Sequence, residues 1–394
     1  MTKKLLLIGG GHAHLTTLAR IRAIRAMGHE VTVVAPSPYH YYSGMGPGLL
    51  GTTYSASAIR FATQKTVAAQ GGEFILDTAV NIDGASRQVE LASGKSISYD
   101  VLSCNVGSQV DRSLIHEPKA RDIFTVKPIA NLLAAQQRIV SRAKAGASQV
   151  SIVGGGPSAA ELAGNVLQLT AAHGLTTPTV QIYCRSKFMA KAPLVVRRLA
   201  RRSLTRRGVR IKEKSAVTGL GQGMIQLAGG REESADVILL ASGVKPPPIF
   251  HQSNLLCGPD SGLAVNRYLQ SPQYPEIFGG GDCIHFQERP LDKVGVYAVR
   301  QNQVLARNLV ASLNEEPLKP FRPRGGYLLI YNLGQGLGLL HKGIFTWHGR
   351  LAFRLKDRID RRFMARFQET GQPEKTNSRA MSDLSKQLHK FPEG

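Results

Sequence analysis

The 394-residue chain has few cysteines and no cysteine pattern: Cys104, Cys184, Cys257 and Cys283 lie far apart, with no CxxC or CxxxxC pair. That spacing indicates neither a zinc site nor a local redox disulfide, and no metal is expected. No apolar run reaches the ~18 residues of a membrane span. At the start, Lys3 and Lys4 precede "LLLI", but glycines stop the run before the ~7–15 apolar residues of a secretory signal. A buried first strand is expected there, in a reduced, cytoplasmic protein. Acidic residues are also scarce: Asp+Glu 27 against Lys+Arg 50 leaves a formal charge of +23. Such an excess suits nucleic acid or an anionic lipid surface, or serves solubility. No recognition module or aromatic stacking pattern accompanies it, which argues against nucleic acid.

What the chain does have is a near-repeat. "LLLIGGGHAHLTTLARIR" and "SQVSIVGGGPSAAELAGNVLQL" each read as an apolar strand, three glycines and a helical pattern. Gly154, Gly156 and Ala159 match the dinucleotide fingerprint G-x-G-x-x-[GA] throughout, whereas Gly9 and Gly11 match its first two positions and His14 takes the third. One fingerprint is weak evidence; two, about one domain apart and each between strand and helix, are much stronger. A second strand follows each, "GHEVTVVAPS" and "TPTVQIYCRS", giving two β-α-β units. "ISYDVLSCNVGSQV" and "ESADVILLASGVKP" each read as a strand running into a glycine, Gly107 and Gly243, that closes the unit.

Later, "YPEIFGGGDCIHF" gives a short strand ending at Gly281 and Asp282, followed by a long helix beginning near Val294 and Gly295. Beyond about Pro320 the pattern changes to strands with glycine turns. A basic amphipathic helix, 350–367, follows, with Leu351, Leu355, Ile359, Phe363 and Phe367 every four residues. It has the form of an interfacial membrane helix, or of a helix packed on the body or in a homodimer contact. From Gly371 on the chain is polar and expected to be loose. The predicted fold is α/β with two Rossmann-like domains and a C-terminal β-rich segment. One dinucleotide would bind 1–115 with 245–315, a second 116–244, and 316–394 would form the membrane-surface or dimer segment.

This order of motifs resembles the FAD-dependent pyridine nucleotide-disulfide oxidoreductase superfamily, in its type II NADH dehydrogenase-like branch. "GGGHAH", "YSGMGPGLL", "GVYAVRQNQVLARNL" and "LKDRIDRRFMARF" are similar to the flavoprotein found fused ahead of selenide, water dikinase, where histidines after the glycines are usual. The resemblance implies FAD pyrophosphate at Gly9, Gly11, His12, Ala13 and His14, near a positive helix end. It implies flavin contacts from Asp282 and from the helix start at Lys293, Val294 and Gly295, with Gln301 toward a quinone. Lys293 reads equally as a solvated helix-start residue. NADH or NADPH would sit at Gly154, Gly156 and Ala159, with Glu161 near the nicotinamide.

Neither second strand ends in the acid that usually holds a ribose. Ser37 or backbone would replace it in the first unit, and Arg185 with Lys187 in the second hints at NADPH. His40, Tyr39, Tyr41 and Tyr42 would line a flavin or acceptor pocket, or simply pack. The predicted activity is hydride transfer from NAD(P)H to FAD and onward to a quinone-like acceptor. A sulfide:quinone-type enzyme, a redox partner in selenium metabolism and a flavin module without turnover are the alternatives. The first needs two cysteines at the flavin, one late in the chain, and none follows Cys283.

Overall fold

A computed structural model describes residues 1–117, 120–323 and 325–368; the polar stretch expected from Gly371 lies outside them. Two five-stranded parallel sheets dominate. The first runs Ile277–Gly279, Val101–Cys104, Lys4–Ile8, Glu30–Ala35, Glu73–Leu76. The second runs Ile123–Thr125, Val237–Leu240, Gln149–Val153, Thr179–Tyr183, Arg210–Lys212. In both, the fingerprint strand is central, with the next strand on one side and the glycine-ended closing strand on the other. Parallel strands covered on both faces need continuous apolar runs, and Leu5–Ile8 and Val237–Leu240 are fully buried.

The two fingerprints are followed by different helices. After Gly156 a single 16-residue helix, Pro157–Ala172, forms with proline in its first turn. After Gly11 the helical pattern breaks into a 3-10 turn, His12–His14, and two short helices, Leu15–Leu18 and Ile21–Ala26. The helical pattern read after these glycines is therefore not one continuous helix. Both His12 and His14 turn inward and are buried, and the backbone leaves helical geometry at Arg20.

One core surrounds the second sheet and takes in Leu333 and Leu339 from the C-terminal region. Another surrounds the first sheet and includes Leu305 and Leu309 of the helix Gly295–Leu313. The C-terminal region is a three-stranded antiparallel sheet, Leu329–Asn332, Gly338–Lys342 and Phe345–Gly349, then the helix Arg350–Gln368.

That helix does not present its four-residue stripe as one face. Four residues turn a helix by ~400°, so the stripe winds about 40° per step. Phe363 and Phe367 pack against a small core with Phe61 and Met364. Leu351, Leu355 and Ile359 are instead 54, 40 and 43 % exposed. The inward positions of the first turns go to Ala352, Lys356 and Asp360. Among the described residues no helix is long and apolar enough to cross a membrane.

Candidate functional site

The first fingerprint is shaped by Asn105, at the end of its neighbouring strand. A Cβ at Gly9 would stand 2.4 Å from the Asn105 carbonyl oxygen, and one at Gly11 2.2 Å from its Oδ1. Asn105 Oδ1 accepts the Ala13 N–H at 3.0 Å, and its Nδ2 donates to the Gly280 carbonyl at 2.6 Å. One side chain thus ties the fingerprint to the Gly-Asp turn. His14 fills the space the third glycine would have left open. Its Nδ1 donates to the Gly9 carbonyl at 2.6 Å, and its Nε2 accepts from the Ser103 hydroxyl at 2.8 Å. Burial pushes its pKa down to about 4, so the ring that makes these bonds is neutral. His12 Nδ1 meets His40 Nε2 at 3.0 Å. Burial and, second, the Lys127 charge push His12 down to about 4 as well. Its Nε2 is buried without a hydrogen-bond partner among the described residues, beside Tyr42, Phe61 and Phe363. Ser37, just past the strand Glu30–Ala35, accepts the Tyr39 N–H at 3.1 Å.

Asp282 stands at the centre of a knot. Its Oδ2 is 2.8 Å from Lys127 Nζ and 2.8 Å from Ser108 Oγ, and Lys127 Nζ also reaches Ser108 at 2.8 Å. Gly107 precedes this serine. The Gly281 N–H donates to Gln301 Oε1 at 2.7 Å, which commits that buried side chain to holding the turn. Lys293 pairs with Asp260 at 2.7 Å and donates to the Ile284 carbonyl. It is not a free charge at the helix start. The helix Gly295–Leu313 begins after an extended Val294. A Cβ built on Gly295 lies 3.7 Å from Ser43 Oγ, so this helix start faces the Ser43–Gly44 loop.

The second fingerprint repeats the first in outline. Gly154 has φ +132, and a Cβ there would stand 2.1 Å from the Ala241 carbonyl, the counterpart of the Asn105 contact. Gly156 differs: the space at its Cβ is open, as it is at Gly107 and Gly243. An open glycine at the start of a 16-residue helix is a cradle where backbone can approach a pyrophosphate. These residues fit a dinucleotide. Ala159 is buried in the helix above it, and Arg185 and Lys187 are exposed in the loop after Thr179–Tyr183.

Glu161, one turn into that helix, faces away from the cradle's own domain. Its Oε1 accepts the Asn332 N–H of the C-terminal sheet at 2.7 Å. Burial raises its pKa to about 7, and the nearby Lys356 charge opposes the rise. Lys356 comes from the C-terminal helix. Its Nζ donates to the Gly44 carbonyl at 2.8 Å and pairs with Asp360 at 2.7 Å. Tyr42 donates to the other Asp360 oxygen at 3.1 Å. Burial raises the Asp360 pKa, with Lys356 opposing. Three segments far apart in sequence therefore bring Glu161, Lys356, Asp360 and Tyr42 together beside the loop that faces Gly295.

Asn105, Lys127, Lys356 and Asp360 were not legible as site residues. Asn105 lies in the quoted strand-glycine stretch, and Lys356 and Asp360 have i,i+4 spacing on a largely apolar-basic helix, as Asp357 and Arg361 do. Those were the available signals. Lys127 carries none. Cys104, Cys184 and Cys283 are buried and Cys257 partly so, all four as free thiols; burial raises Cys283 to about 11.

Comparison with known proteins places this geometry. Residues 3–303 match the family model for pyridine nucleotide-disulphide oxidoreductases. The chain is 23% identical over 391 residues to a type II NADH:quinone oxidoreductase of Staphylococcus epidermidis, covering 91% of this chain and 94% of that protein. It is 22% identical to one from Staphylococcus aureus, covering 81% and 85%. In structure it is similar to the sulfide:quinone oxidoreductase of Aquifex aeolicus, with TM-score 0.78, 18% identity and coverage of 97% and 95%. A ferredoxin reductase of Rhodopseudomonas palustris gives TM-score 0.71 at 20% identity, covering 86% and 81%.

Proposed function

The chain belongs to the pyridine nucleotide-disulphide oxidoreductase family, a class of enzymes using FAD and a nicotinamide cofactor, and from that premise we propose that it is an NAD(P)H:quinone-type oxidoreductase. The observation that carries the reading is that Glu161, held by the Asn332 N–H, lies within the electrostatic reach of the Lys356–Asp360 pair beside the Gly44 loop. The names of the staphylococcal relatives support the acceptor class. Gly9, Gly11, Asn105, Ser108, Asp282 and the start of the Gly295 helix hold FAD. Gly154, Gly156 and Ala159 hold the nicotinamide pyrophosphate, with Arg185 and Lys187 toward the ribose. Bound FAD supplies the two-electron carrier between the nicotinamide and the acceptor.

The protein's own part is placement and proton handling. A quinone becomes a quinol on gaining two electrons and two protons, whereas a hydride brings two electrons and one proton. The second proton must come from the site or from water. Glu161, with a pKa near 7, holds or gives up a proton at neutral pH. The Lys356 ammonium, fixed by Gly44 and Asp360, favours negative charge developing beside it. The acceptor arrives from an anionic membrane surface. Ile344, Phe345 and Trp347 of the last hairpin are exposed, as are Leu351, Leu355 and Ile359. Exposed Arg350, Arg354 and Arg358 stand among them, which is the composition of a surface that docks on lipid.

The test is anaerobic spectroscopy of the purified protein. Flavin absorbance should bleach with NADH or NADPH and return on adding a short-chain quinone. Sulfide bleaching it instead would favour a sulfide:quinone reaction, and no bleaching would sink the dehydrogenase reading. Co-sedimentation with phosphatidylglycerol vesicles tests the surface. Binding lost in Trp347→Asp supports docking; a stable dimer that Trp347→Asp dissociates would assign the surface to a second copy.

A further inference from the structure

A pocket of about 390 Å³ lies between the helix Leu194–Thr205 and the C-terminal sheet, away from the residues invoked above. Leu199 and Leu337 give it apolar walls. Its polar groups are Arg202, Ser203, Arg206, Arg207 and His348. No carboxylate lines it, and among the described residues none of its three arginines forms an ion pair. Arg207 is partly buried and spends its guanidinium on neutral acceptors. Nη1 donates to the Leu333 carbonyl at 2.8 Å, Nε to the Ser203 carbonyl at 2.8 Å and Nη2 to Ser203 Oγ at 3.3 Å. Burial alone lowers its pKa, with no opposing carboxylate. His348 Nε2 is 3.2 Å from Ser203 Oγ. Burial and then the Arg207 charge lower its pKa.

Arg207, Ser203 and His348 already bond one another or backbone and the pocket's surface is mostly apolar, so the donors left for a ligand are chiefly those of Arg202 and Arg206, with no anion to receive them. Arginine's planar fork matches phosphoryl oxygens in pairs, and such charge-assisted bonds gain strength where water is partly excluded. We propose that this pocket binds a phosphoryl anion, with Arg207, Ser203 and His348 as its floor and Arg202 and Arg206 closing from the rim. The ligand's shared chemistry is the phosphoryl group itself, carried by free phosphate or by a phospholipid headgroup whose apolar part meets Leu199 and Leu337. Binding joins the nicotinamide-domain helix to the last hairpin strand, and it raises the His348 pKa by supplying the missing negative charge.

The experiment uses the full chain in two arms. Inorganic phosphate is titrated calorimetrically against chloride at matched ionic strength, while the His348 ring is followed by NMR. Vesicles of phosphatidylglycerol and of phosphatidylcholine are then compared by co-sedimentation. The variants are Arg202→Gln with Arg206→Gln, and a control of equal charge outside the pocket, Arg198→Gln with Arg210→Gln. Phosphate binding that raises the His348 pKa, and that weakens at least tenfold in the pocket variant alone, supports a free-anion site. No response to phosphate, with phosphatidylglycerol binding weakened at least tenfold in the pocket variant alone, supports a headgroup site. Equal losses in both variants would reduce the effect to net charge and overturn the proposal, as would no effect in either arm. The phosphate arm involves no membrane, so its outcome is separate from that of the docking surface tested by Trp347→Asp.

Discussion

Lys127 Nζ stands 2.8 Å from Asp282 Oδ2, with side chains 22 and 12 % exposed and Ser108 bonded to both. The pair joins the strand entering the second domain to the Gly-Asp turn of the first. Lys127→Met would leave a largely buried carboxylate with only a hydroxyl. Truncating one partner of a fully buried pair costs ~3–5 kcal/mol, and partial exposure puts this one at about 2. Urea unfolding should show that loss. The variant should also release FAD on gel filtration, read by the ratio of flavin to protein absorbance. The His12 pKa should rise, because the Lys127 charge is one of the two causes that lower it.

Glu161 gives a pH signature. Its carboxyl is ordinary in the unfolded chain, at 4.5, and raised to about 7 in the fold. Between those values the native state keeps a proton that the unfolded state has lost. This group's contribution is therefore complete below pH 4.5 and is lost as pH rises through 7. Glu161→Gln should flatten that component, so the urea midpoint should fall less between pH 5 and pH 8 than in the wild type. Acceptor reduction should drop on the order of 10²-fold and lose its inflection near pH 7, while bleaching by NAD(P)H persists. An unchanged pH profile in the variant would remove Glu161 from proton handling.

The repeated halves were readable because a parallel strand buried on both faces and a glycine pressed against a neighbouring carbonyl leave local marks. Gly154 against Ala241 is such a case. His14 departs from the glycine pattern and the resemblance marked it as a family variant, but what its ring does shows only with Ser103, a residue 89 positions away, opposite it. Long-range partnership is what one window of sequence cannot hold. The same limit hid Lys127 as the partner of the legible Asp282, and it hid the pair Lys356 and Asp360. On the C-terminal helix the apolar stripe was visible, but a spacing of four winds around the axis. The outward turn of Leu351, Leu355 and Ile359 depends on the buried ion pair having taken the inward face.

Arg185 and Lys187 are exposed in the loop where an acid would hold an NADH ribose. A cation there favours the 2′-phosphate of NADPH. One charge-assisted bond of ~1.4 kcal/mol is a factor of ten in affinity. Arg185→Ala with Lys187→Ala should therefore lower kcat/KM for NADPH about tenfold and leave that for NADH within twofold. Equal changes for both cofactors would make these two residues general surface cations.

Gly164 shares the inward side of its helix with Glu161, and its backbone touches the C-terminal sheet directly. A Cβ on Gly164 would lie 1.9 Å from the Leu333 carbonyl oxygen. One on Gly334, at φ +74, would lie 1.9 Å from the Gly164 carbonyl. Neither neighbour is the end of a flexible side chain, so nothing can swing aside. Overpacking costs ~1–3 kcal/mol where side chains adjust, and Gly164→Ala should sit at about 3. The helix and sheet must separate, which stretches the bond from Glu161 to the Asn332 N–H and that from Asn165 Nδ2 to the Asn332 carbonyl. Melting should fall by several degrees, and quinone reduction should fall more than bleaching by NAD(P)H. Gly156→Ala is the contrast. Its Cβ enters open space at an ordinary φ of −83, so stability should hold. The methyl should instead crowd the nicotinamide pyrophosphate and raise KM for NAD(P)H. If both variants lost stability and spared KM, the two glycines would share a packing role and the open cradle would have no ligand.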